Sequence, residues 1–191
     1  MLDSFLKLFL FLDNTPWYLF LSVLGLLFPR HRQVTYWGLI GGLLCILFNQ
    51  SLKAYFKVPL YPHLGHGYAF PSGHLQLASF VYIWMANYKL LAMDKLYFIL
   101  IPLFAYASVH FHFHSVADVT AGIFCGATYF FIYKNIYQLV IKSRLVIISA
   151  AYLFCIGYLY MLPHVHQDIK IVIILLPILI LISPWLPVKR T

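Results

Sequence analysis

The stretch VTYWGLIGGLLCILFNQSLKAYF, residues 34–56, decides the fold class, because it carries no charged side chain before Lys53. Its apolar residues run continuously instead of alternating, which argues for a helix and against a strand of a membrane barrel. Crossing about 30 Å of hydrocarbon takes roughly 20 such residues. Comparable runs recur along a chain of 191 residues that is 63% hydrophobic, 9% charged and devoid of Glu. Lipid must therefore be the solvent for most of it, and backbone amides in lipid have to be paired within the segment. The expectation is an all-α, polytopic membrane helical bundle of six to seven transmembrane helices preceded by an N-terminal interfacial helix. Residues 1–191 would form a single integral membrane domain.

The interfacial helix is placed at 1–13, where LDSFLKLFLFL (2–12) is too short to span and Asp3, Ser4 and Lys7 share one arc of the wheel. A signal peptide fits less well, since the segment begins acidic and lacks a small-residue cleavage site. Candidate spans follow at about 14–29, 34–56, 72–91, 95–112, 116–138, 143–161 and 169–187. Pro177 and Pro184 interrupt the last, which leaves a re-entrant or peripheral segment open. Cys45, Cys125 and Cys155 lie inside apolar runs with neither a pair pattern nor metal spacing.

The formal net charge of +8 comes from Lys and Arg in short loops between apolar runs, so topology explains it and no nucleic-acid partner is implied. If all seven spans cross, nine of the 13 basic residues fall on one side: Arg30, Arg32, Lys89, Lys95, Lys134, Lys142, Arg144, Lys189 and Arg190. The positive-inside rule makes that side cytoplasmic. The opposite side receives every histidine except His31 and every aspartate except Asp94, concentrated in the 57–71 loop, the 110–118 corner and the 163–169 loop. Ionisable groups near a bilayer are expensive to desolvate, so their concentration marks a candidate site facing the periplasm or cell exterior. The localisation expected is a bacterial cytoplasmic (inner) membrane.

Three segments on that side carry the chemistry. In FPSGH (70–74), Pro71 suits a helix start, and Ser72 and Gly73 then offer a hydroxyl and backbone N–H groups to an anion, with His74 at the rim. A plain helix start after a loop explains the same residues. In HFHFHSVAD (110–118), Asp118 follows His114 by four residues, so a carboxylate can hold one imidazole nitrogen and leave the other nucleophilic. If a helix continued through 114, His110 would share its face with His114 while His112 pointed away. Lys53 and Lys57 lie one turn apart at the outer end of a span, where either can pair with a phosphate oxygen or snorkel to headgroups.

Lys53, PSGH at 71–74 and HSVADVTAG at 114–122 together resemble the type 2 phosphatidic acid phosphatase superfamily of membrane lipid phosphatases, over roughly residues 49–126. That family's signatures are Lys-x6-Arg-Pro, Pro-Ser-Gly-His and Ser-Arg-x5-His-x3-Asp. The resemblance implies His114 as the nucleophile that forms a phosphohistidine, Asp118 as its orienting carboxylate and His74 as the acid for the leaving oxygen. Lys53, the Ser72 hydroxyl and the amides of Ser72 and Gly73 would hold the phosphoryl group. A lipid phosphate in the bilayer is the implied substrate, reached by a lateral entrance between the helices starting at 72 and 116. Neither a metal nor an organic cofactor is implied.

Two departures stand out. Leu60 and Tyr61 occupy the places of the first-motif Arg-Pro, and Ser108 that of the third-motif arginine. Each lost donor of that kind typically costs about 3 kcal/mol of barrier. Lys57, His63, His66 and His110 fall on the same side and are the candidate replacements for the missing charge. Other readings compete with a phosphatase. A phosphotransferase or headgroup transferase on the same fold would handle a phosphodiester with fewer cationic clamps. A lipid-binding or transport homologue would have lost catalysis, and a metal enzyme would use HFHFH and HVHQD (164–168), although alternating histidines point apart on a helix.

Overall fold

The computed structural model describes residues 31–90 and 94–142 continuously, with side chains outside 91–97 and 137–148, and in addition Asp3, Ser4, Leu6, Lys7, Tyr18, Gly25, Leu26, Leu27, Ser149, Leu153, Gly157, Leu176 and Ile178. Apart from those positions, the expected interfacial helix at 1–13, the spans at 14–29, 143–161 and 169–187, and the histidines of the 163–169 loop lie outside the described residues. Four α-helices carry the described chain: α1 (Arg32–Phe56), α2 (Gly73–Asn87), α3 (Asp94–His110) and α4 (Val116–Lys142). A 3-10 turn at Pro62–Leu64 and a single β-bridge between Pro59 and Tyr68 complete the regular structure of the described residues.

Two of the helices, α1 and the Val116–Ile136 part of α4, are long and apolar enough to cross a membrane, and Phe98–His110 is a shorter apolar helix. On α4, Phe124, Phe131 and Ile132 turn outward, with Phe124 73% exposed. Three large apolar side chains held outward on one helix suit a lipid surround better than water. At 1.5 Å per residue, the 15 residues of α2 extend only about 22 Å. The helix ends earlier than the 72–91 expected because Lys89 turns left-handed at φ 49°, with the Leu90 N–H donating to Met85 O and the Lys89 N–H to Ala86 O. That pair of bonds closes the helix in a Schellman motif.

The central element is α2, which packs against α1, α3 and α4. Its Phe80 and Trp84 join Tyr36, Trp37, Ile40, Leu43, Leu47, Phe130 and Tyr133 in one core shared with α1 and α4. Its Leu75, Ala78 and Tyr82 join Ile101, Phe104 and Val119 in a second core toward α3. The polar tips buried with these rings are paired: Tyr133 O–H donates to Trp37 O at 2.8 Å and Trp84 Nε1–H to Val34 O at 3.2 Å. The closest approach is between α2 and α4. A β-carbon at Gly122 would lie 2.6 Å from Ser72 O, and one at Gly126 would strike Gln76 O. Glycines four apart on α4 thus let its backbone rest on the first turns of α2, as small residues do between membrane helices.

Candidate active site

The corner between α3 and α4 delivers the key histidine. After His110, the His112 N–H donates to Val109 O and the Phe113 N–H to Ser108 O, both at 3.0 Å, with His112 left-handed at φ 56°. This is a second Schellman ending, carried by histidine where glycine is usual. It stops α3 at His110, so the expected one-face relation of His110 and His114 along a continuing helix does not hold. The His114 N–H also returns to Ser108 O, at 3.3 Å. Ser108, standing where the family pattern has arginine, is 3% exposed and anchors the turn through its carbonyl.

The start of α4 then fixes the carboxylate. Ser115 N–H donates to Asp118 Oδ2 at 2.8 Å, and Asp118 N–H donates to Ser115 Oγ at 3.2 Å. The reciprocal pair is a capping box, with Asp118 in the place usually taken by Glu or Gln. It holds the carboxylate of Asp118 with Oδ2 3.9 Å from His114 Nδ1, a buried nitrogen with no hydrogen-bond partner. At 3.9 Å the pair is electrostatic and not a hydrogen bond.

Burial of the ring, then the charges of Lys53 and His74, push the His114 pKa down from 6.5 to about 4, against the opposing pull of Asp118. The imidazole is consequently neutral at physiological pH. With Asp118 facing Nδ1, the proton belongs on that nitrogen and the Nε2 lone pair is left for an electrophile. Lys53 from α1 and His74 from α2 therefore act on His114 from two further helices, and four of the residues singled out in the sequence converge.

The start of α2 differs by one residue from expectation: Ser72 is the N-cap, at φ −61° and ψ 119°, and Pro71 precedes the cap. A serine there normally accepts an N–H of the first turn. Here it makes no such bond, and its fully buried hydroxyl has no partner. The Ser72 N–H donates to Asp118 O at 3.0 Å, which ties α2 to α4 and removes that amide from the expected phosphate donors. Gly73, the first helical residue, still directs its N–H out of the helix start. The same Ser72–Asp118 bond, with Gly122 beneath Ser72, joins the starts of α2 and α4, between which the lateral entrance was expected.

The remaining candidates are not among the charged groups that bear on His114. His110 Nε2 faces Asp3 Oδ1 at 3.1 Å, and its ring stacks on Tyr106. Lys57 is exposed and left-handed at the end of α1. His63 stacks on Tyr61, and both it and His66 are exposed in a 57–71 loop closed on itself by Ala69 N–H to Val58 O and Leu60 N–H to Gly67 O. Among the described residues no three His, Cys, Asp or Glu side chains are grouped to hold a metal ion.

Two residues that sequence reasoning passed over also shape this region. Ser115 has the spacing of a capping box, Ser-x-x-Asp, and could have been found that way. Asn49, one turn before Lys53, gave no local signal beyond being an amide in an apolar run. No family model, characterised relative or solved structure matches the chain.

Proposed function

We propose that the protein is a membrane lipid phosphatase that hydrolyses a phosphomonoester or diphosphate of a lipid of phospholipid, prenyl or lipid A type. It would reside in a bundle of six to seven spans, with the site on the outer face of a bacterial inner membrane. The observation that carries the reading is His114, kept neutral by burial with Asp118 beside Nδ1 and with Lys53 and His74 bearing on it. A nucleophile, an orienting carboxylate, a cation and an acid drawn from three helices and a turn are the parts that phosphoryl transfer through a covalent histidine needs.

In the proposed reaction the Nε2 lone pair of His114 attacks phosphorus, and the bond from phosphorus to the lipid oxygen breaks. His74, in its protonated form, gives its proton to that oxygen. The resulting phosphoimidazolium is stabilised by the Asp118 carboxylate. Water then attacks phosphorus, giving its proton to His74, and the P–N bond breaks to release phosphate and neutral His114. Lys53, the unpaired Ser72 hydroxyl and the Gly73 N–H would hold the phosphoryl oxygens throughout.

The test is phosphate release by purified wild type and His114→Ala over phosphatidic acid, phosphatidylglycerol phosphate, undecaprenyl diphosphate and lipid A. Release from at least one lipid that is lost in the variant supports the reading. A new phospholipid headgroup in place of free phosphate would identify a transferase, and equal release by both proteins would remove His114 from the chemistry.

A further inference from the structure

We propose that Asn49 is a positioning residue that registers α1 against the start of α2, and that position 73 is glycine because the Asn49 amide fills the space of its β-carbon. The inference rests on the lipid phosphatase reading for its catalytic consequence, while the contact itself stands on geometry. Asn49 is 2% exposed. Its Nδ2 donates to Pro71 O at 3.2 Å and to Gln76 Oε1 at 2.9 Å, so both of its protons are used on α2 or the residue leading into it. Gln76, fully buried, returns the brace by donating from Nε2 to Cys45 O at 3.4 Å, one turn back along α1. Two amides therefore span the helix pair on either side of the Ser72–Leu75 turn.

Buried amides of this kind are costly unless each hydrogen bond is made, and they specify one register when it is. That register has a consequence at the site. Lys53 lies one turn beyond Asn49 on the same face of α1, and Lys53 bears electrostatically on His114. The brace thus sets the height of the Lys53 charge relative to Ser72, Gly73 and His74. On its other side Asn49 presents Oδ1, which is buried and has no hydrogen-bond partner. A β-carbon at residue 73 would lie 2.8 Å from that oxygen and 3.5 Å from Asn49 Cγ. Because the oxygen belongs to an amide held at Nδ2 by two bonds, it cannot swing aside without breaking them. The glycine of PSGH is then explained by a partner 24 positions earlier in the chain, and not only by close approach of a phosphate.

A double-mutant cycle between Asn49→Ala and Gly73→Ala tests this, read in detergent by Tm and by kcat and KM on a short-chain phosphatidic acid. Asn49→Ala is expected to lower kcat at least about tenfold with KM within about threefold, since register affects the transition state more than ground-state binding. Gly73→Ala is expected to lower Tm and kcat in the wild-type background. In the Asn49→Ala background, where the amide is gone, the same change is expected to leave Tm unmoved. Should Asn49→Ala fail to fold, Asn49→Ser, which also removes the amide, takes its place in the cycle. Wild-type kcat in the Asn49 variant, or an equal loss of Tm from Gly73→Ala in both backgrounds, overturns the inference. A wild type that releases no phosphate defeats the phosphatase reading alone, and the Tm cycle still decides the Asn49–Gly73 contact.

Discussion

Removing the charge of Lys53 should make His114 easier to protonate, and removing the charge of Asp118 should make it harder. The structure sets the interval: from an ordinary 6.5, burial, Lys53 and His74 together bring the group to about 4. At about 1.36 kcal/mol per pH unit, the protonated ring is disfavoured by about 3 kcal/mol. About one ring in a thousand is then charged at pH 7, against about one in four for an ordinary histidine. In Lys53→Met the midpoint should rise into the window between about 4 and 6.5, because a depressing cause is gone. In Asp118→Asn it should fall below about 4, because the cause that opposes the depression is gone. The pH dependence of acylation of His114 by diethyl pyrocarbonate, followed on its peptide by mass spectrometry, reads the free imidazole without requiring catalysis. The sign extends to stability. Between 6.5 and about 4 the unfolded chain binds a proton that the folded chain does not, so this histidine's share of stability is full above 6.5 and is lost as pH falls through the window. A midpoint near 6.5 that neither variant moves would refute the burial of the ring and the placement of Lys53 and Asp118 around it.

Further outcomes follow from the helix ends and contacts. His112→Gly relieves a left-handed residue at the α3 ending and should stabilise the protein by about 1 kcal/mol, read as a higher Tm, with activity retained. Ser115→Ala removes the hydroxyl that accepts the Asp118 N–H, which should cost about 1 kcal/mol and lower kcat, while Ser115→Thr restores both. Gly122→Leu drives a side chain into Ser72 O, so a loss of about 1–3 kcal/mol in a thermal melt is expected together with loss of phosphate release.

Much of the architecture was legible in the sequence, since the continuous apolar runs at 34–56 and 116–138 become α1 and α4 and the corner at 110–118 falls between two helices. What was not legible arises from backbone bonding that side-chain patterns do not announce. His112 occupies a left-handed position that glycine usually marks, so the ending of α3 at His110 carries no sequence signal, and the helix through 114 that would set His110 and His114 on one face does not form. The Ser72 amide was counted as a phosphate donor because its acceptor, Asp118 O, lies 46 positions away in the chain. Gly122 was read as part of a motif, whereas its role in bringing α4 against the start of α2 appears only when the two helices are set side by side. The group around His114, with His74, Asp118 and Lys53 bearing on it, was legible because titratable side chains are rare in a chain with 9% charged residues.

The most direct measurement is trapping of the covalent intermediate in alkaline detergent: wild type is mixed with a cleavable lipid phosphate, quenched and digested at alkaline pH, and read by mass spectrometry for phosphohistidine. The account predicts an alkali-stable, acid-labile phosphate on His114, more abundant in His74→Ala if leaving-group protonation is bypassed with an activated ester. Phosphate release that continues in His114→Ala, or a phosphoryl group trapped on any other residue, would contradict it.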